Sequence, residues 1–131
     1  MKGTEKQVAW AEEIKANYIE NINSYKDYLE KVAEKGTTKI YDDDRNFPKV
    51  GEIFVSAYHP EALYETVKDD MKSSDLYKAF RASERGSQER KALGKEFRSA
   101  VAQEAISRLT AESEKQEKEE SAAWWIEHRM K

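Results

Sequence analysis

The stretch Thr4–Gly36, TEKQVAWAEEIKANYIENINSYKDYLEKVAEKG, decides the fold. Apolar side chains recur in it at Val8, Ala11, Ile14, Tyr18, Ile22, Tyr25, Leu29 and Val32, always three or four positions apart. That spacing keeps one face of an α-helix apolar along its length. Ahead of the stripe, the Thr4 hydroxyl can accept from the Gln7 backbone N–H while the Gln7 side chain reaches back, forming a capping box. Behind it, Gly36 stands where a left-handed residue ends a helix. The stretch predicts one helix from Thr4 to about Lys35, roughly 45 Å long at 1.5 Å per residue.

Outward from that helix, breakers are scarce: the chain has two prolines and five glycines. Residues 37–47, TTKIYDDDRNF, read as a connection. The following segment, 48–58, has strand-like β-branched and aromatic content. Its Val50, Ile53, Phe54, Ala57 and Tyr58 nevertheless sit at helical spacing behind a Pro48 suited to a first helical turn. Helix is the preferred reading, with a small β element at 38–58 as the alternative. Pro60 opens a short helix with Leu63, Val67 and Met71 as its stripe. SSDLYKAF (73–80) reads as a cap and a further short helix, packing through Leu76 and Phe80 and stopping near Gly86. From Ser87 a long helix carries Leu93, Phe97, Val101, Ala105 and Leu109. The decamer ESEKQEKEES (112–121) contains no apolar residue and no helix breaker, so it reads as a charged, solvated continuation. Glu114 and Lys118 form an i,i+4 pair there, worth about 0.2–0.5 kcal/mol. The expected class is all-α: a single domain, 1–131, of long N- and C-terminal helices packed together with shorter helices between.

Composition narrows the function classes. Charged residues make up 37% of the 131 and hydrophobic ones 38%, so much of the chain must be solvated surface. Three Trp, seven Tyr and four Phe still suffice for a core, against global disorder. The absence of cysteine excludes disulfides, thiolate metal sites and a cysteine nucleophile. No apolar run of signal-peptide or membrane-spanning kind occurs, and the expected setting is cytoplasmic. The net charge of −3 selects no partner class.

Two terminal motifs carry a resemblance. GTEKQVAWAEEI (Gly3–Ile14) is similar to an N-terminal signature G-[ST]-x-K-Q-x-x-W-A-x-x-I, and AAWWIEHR (Ala122–Arg129) to a closing motif W-W-I-[DE]-x-R. Both resemble small proteins of Gram-positive phages and integrative mobile elements. The resemblance implies a mobile-element setting and no mechanism. On physical grounds, a last helix running back against the first would bring Trp10, Trp125 and Ile126 into one clasp, an aromatic pair adding about 0.5–1.5 kcal/mol beyond area burial. Trp124, 100° round the helix, is then the candidate exposed anchor for a partner.

No catalytic constellation stands out. His59 and His128 lack ligand-spaced partners, and Asp42, Asp43 and Asp44 do not fit a calcium loop. Phosphate-loop and nucleophile-elbow motifs are absent. No metal or cofactor is expected, and a non-enzyme is. The charge pattern says more. Residues 78–98 hold seven Lys or Arg against three Glu. Lys78, Arg81 and Arg85 form one helical row, and Lys91, Lys95 and Arg98 another, facing away from Leu93 and Phe97. The plain alternative is a solvated face paired with Glu84, Glu89 and Glu96. The leading expectation is a non-catalytic module that binds a host or mobile-element protein, with inhibition of a defence nuclease (anti-CRISPR-like) as its specific form. The second is a nucleic-acid-binding accessory protein using the basic rows. Homodimerisation fits either, because the first helix carries a long apolar stripe.

Overall fold

A computed structural model describes residues 1–38 and 60–128; for Pro60, Glu61, Ala62 and His128 only the backbone is described. The readings at 39–59, including the helix-or-strand question at 48–58, Asp42–Asp44 and His59, lie outside those residues, as does Arg129. The described chain is helical: α1 (Glu5–Lys35), α2 (Pro60–Asp70), α3 (Asp75–Ala82), α4 (Gln88–Glu117) and α5 (Ala122–His128), with a 3-10 turn at Met71–Ser73. Among the described residues there is no β-strand, only one parallel bridge between Lys2 and Ser121.

α1 begins and ends as its sequence dictates. The Thr4 hydroxyl accepts from Gln7 N–H at 3.2 Å, and the Gln7 side-chain carbonyl accepts from Thr4 N–H at 3.0 Å. Gly36 closes the helix at φ 66°, its N–H donating to Val32 O. The predicted stripe is the buried face: Ala11, Ile14, Tyr18, Ile22, Tyr25, Leu29 and Val32 are all core, joined by Tyr28. Caps of the same kind start α3 and α4, where Ser74 and Ser87 accept from Tyr77 and Arg90 N–H.

α4 lies antiparallel along α1. Lys15 near the start of α1 reaches Glu117 at the end of α4, while Ser99 donates to Ala33 O at 2.7 Å near the other end. α4 supplies Phe97, Val101, Ala102, Ala105 and Leu109 to the core. α2 and α3 pack on α4, and α5 packs on α1. Arg108 of α4 also holds Asp70 of α2 at 2.7 Å, an exposed pair of the kind worth at most about 1 kcal/mol.

Two expectations need correction. The decamer 112–121 is neither one helix nor solvated throughout. α4 stops at Glu117, and Ser113 and Gln116 are buried at 2% and 5% exposure. No glycine or proline stops it. The stop is tertiary: Lys2 N–H donates to Glu120 O at 2.7 Å and Ala122 N–H to Lys2 O at 2.9 Å, pulling the chain out of the helix. The motive for a homodimer also weakens. Among the described residues the exposed large apolar side chains are Met1 and Trp10, so the α1 stripe is covered within one chain.

Candidate functional site

The clasp joins the two terminal motifs through the expected Trp125, but without Trp10. Trp125 is 1% exposed and meets Tyr18 at a ring distance of 5.6 Å, while Trp10 is 45% exposed. The cause is angular. Trp10 shares its side of α1 with Lys6, Glu13 and Asn17, all exposed, whereas the stripe passes through the neighbouring Ala11. Trp125 shares its side of α5 with Ala122, also buried. Its indole N–H donates to Glu119 O at 3.0 Å, which satisfies the one polar group that burial would penalise.

Around Trp125 the charged sequence is turned to structural use. Lys15 donates to Glu117 O at 2.7 Å, at the C-terminus of α4 where a cation is favoured, and its ammonium lies 5.9 Å from the Trp125 ring. Ser113 and Gln116 are bonded to the carboxylates of Glu117 and Glu112. Burial raises the Tyr18 pKa well above the ordinary phenol value, and the nearby Glu112 and Glu117 raise it further. Gly3, at φ 148°, lies so close to Ala122 that a Cβ there would stand 3.0 Å from the Ala122 Cβ. Gly3 of the first motif, against Ala122 of the second, and Trp125, against Tyr18, thus close the chain on itself, while Thr4 and Gln7 cap α1 and Ala11 and Ile14 belong to its buried face. Trp124 is half-buried, edge-on to Trp125 at 5.0 Å, and Ile126 is half-buried beside the core. The proposed roles are reversed: Trp10 is the more exposed indole and Trp124 the more covered.

At the opposite end of the bundle the seven cations of residues 78–98 divide into two groups. Arg90 and Arg98 serve the fold. Arg90 covers the Phe80 ring at 4.8 Å and donates to Ser83 O, and half-buried Arg98 donates from Nε to Gly36 O. Lys78, Arg81, Arg85, Lys91 and Lys95 are exposed and, among the described residues, form no ion pair. The expected pairing with Glu84, Glu89 and Glu96 is not made. By contrast, the acidic stretch 61–75 is partly paired, Lys72 with Asp69 at 2.9 Å and Arg108 with Asp70. The Lys72 ammonium holds the Asp69 carboxyl below its ordinary range.

The two basic rows are not one stripe. α3 packs on the flank of α4 marked by Arg90, Gly94 and Phe97: a Cβ on Gly94 would meet the Phe80 ring at 3.0 Å. Lys91 and Lys95 stand on the flank that faces α1, with Lys95 beside the close of α1, where a Cβ on Gly36 would meet the Lys95 Cβ at 2.9 Å. That contact brings in Lys35, exposed in the last turn of α1 and far from residues 78–98 in sequence. Lys35 and Lys95 line one shallow groove, and Lys95, Lys91 and Gln88 line the next. Sequence reasoning missed Lys35; its nearest signal was Gly36, whose missing side chain lets α4 approach.

No group of three His, Asp or Glu side chains converges on a common point among the described residues. No described helix is long and apolar enough to cross a membrane. No protein-family model, curated protein or solved structure matches the chain.

Proposed function

We propose that the chain is a non-catalytic protein–protein interaction module of a phage or mobile element, and that it docks through the Trp10 side of α1. The observation that carries this reading is the 45% exposure of Trp10 in a bundle whose other tryptophans are buried or half-buried. An exposed indole is a costly surface residue, and Trp is the residue type most enriched at binding hot spots. Lys6, Glu13 and Asn17 around it form the polar rim that such hot spots have. The mobile-element setting follows from the two terminal motifs, and inhibition of a host defence nuclease is the specific form it suggests.

The test is a tagged pull-down from a Gram-positive host lysate, run with the natural chain and with Trp10→Ala, whose melting temperature is checked first. A stoichiometric protein band lost in Trp10→Ala supports the reading and names the target, whose nuclease activity is then assayed with and without the chain. A band that survives the substitution, or no band at all, removes it.

A further inference from the structure

The far end of the bundle has a separate feature that the Trp10 reading leaves unused. We infer that the corner where α1 ends against α4, formed by Lys35, Lys91 and Lys95, is a binding surface for the phosphate backbone of duplex nucleic acid.

The first two turns of α4 run past Gly36, so the flank that α1 covers further down is open here. From Gln88 to Lys95 this flank is roughly 10 Å long at 1.5 Å per residue. Lys91 and Lys95 stand about 6 Å apart along it, one helical turn, so the two ammoniums can meet neighbouring phosphates of one strand. Lys35 enters the same corner from the other helix, through the close contact of Gly36 with Lys95. All three are exposed, and none is paired with a carboxylate among the described residues. Behind them Arg98 donates to the backbone of Gly36 and so ties the end of α1 to α4.

Duplex, rather than single strand, follows from what the corner lacks. Single-strand binders stack bases on exposed aromatic rings. Among the described residues the rings at this end, Tyr77, Phe80 and Phe97, pack on one another, and Phe80 is capped by Arg90. Contact is therefore confined to phosphates, which position a duplex without reading its sequence. Glu34 and Glu96 also line the groove, so the local charge is modest and binding belongs to low salt.

The test is fluorescence anisotropy with a 20-base-pair DNA duplex of arbitrary sequence, and with its single strand, between 50 and 200 mM salt. Three phosphate contacts predict a slope of log K on log salt of about −2.7, or roughly 40-fold weaker binding across that range. Lys91→Glu with Lys95→Glu, and separately Lys35→Glu, should each lower duplex affinity at 50 mM salt by about tenfold or more. Lys78→Glu with Arg81→Glu should change it less than threefold, and Trp10→Ala not at all. The inference is overturned if no duplex binds at 50 mM salt, if the single strand binds tighter, or if the α3 pair removes binding while the α4 pair does not. Because the protein pull-down turns on Trp10 and this measurement on Lys91 and Lys95, either proposal can fail alone.

Discussion

The two ends of the bundle use the same residue types in opposite ways. At the clasp, a segment of almost pure Glu, Lys, Ser and Gln is folded inward: Ser113 and Gln116 are buried, and Lys15 and Trp125 donate to the carbonyls of Glu117 and Glu119. At the basic end, residues 78–98, with seven Lys or Arg against three Glu, leave five cations without a carboxylate among the described residues. What separates them is the neighbour. The clasp has a large ring to surround and chain ends to hold, so its polar groups find backbone and carboxylate partners. The basic end has only Gly36 and the Phe80 ring to serve, and two arginines do that.

The sharpest way to break the comparison is at Trp125. Trp125→Ala removes the ring against which Tyr18, Trp124 and Lys15 pack and leaves Glu119 O without its donor. A loss of about 3–5 kcal/mol is expected, seen as a lower urea midpoint. If the loss stays below about 1 kcal/mol, the clasp is not what holds the termini. The counterpart at the basic end is Gly36→Ala. It places a side chain in a left-handed conformation and within 3 Å of Lys95, for an expected cost of about 2 kcal/mol by chemical denaturation. The clasp should therefore be the costlier of the two to disturb.

A smaller effect sharpens the picture of how α1 is started. Thr4→Ala removes one half of the capping box and should cost about 1 kcal/mol. Trp10→Ala, six residues on and on the exposed side, should stay within about 0.5 kcal/mol in the same denaturation experiment. That contrast separates the residues of the first motif that build the fold from the one assigned to a partner.

Much of this was legible in the sequence, and the reasons are local. The bounds of α1 followed from Thr4, Gln7 and Gly36, and its buried face from a three-and-four spacing that already omitted Trp10. The starts of α3 and α4 followed from Ser74 and Ser87. What was not legible depended on distant strands of chain. The stop at Glu117 is imposed by Lys2, more than a hundred residues away, and no residue near it signals a break. Ser113 and Gln116 continue the buried α4 face of Ala105 and Leu109, but their polar side chains gave no sign that the face stays covered there. Likewise, Arg98 looks like a member of a basic row in one dimension and is a tether for Gly36 in three. Lys35 joins the corner only because α1 happens to end beside Lys95.

The one expected effect of opposite sign lies midway between the ends, at Tyr64. This ring is 3% exposed, and among the described residues its hydroxyl has no hydrogen-bond partner. A buried donor left unsatisfied costs free energy, so Tyr64→Phe should be neutral or stabilising by up to about 1 kcal/mol near neutral pH. The difference should grow in alkali. Burial pushes the Tyr64 hydroxyl up to about 12, from an ordinary 10. Between those values the unfolded chain loses its proton and the folded chain keeps it, so the phenol's share of stability is intact below pH 10 and falls as pH rises toward 12. Tyr18, raised by burial and by Glu112 and Glu117, loses stability in the same direction. Tyr64→Phe should thus flatten part of the alkaline decline in a melting-temperature series from pH 8 to 12. An unchanged decline would mean that Tyr64 titrates as freely in the folded chain as in the unfolded one, and that the middle of the bundle is open to water there.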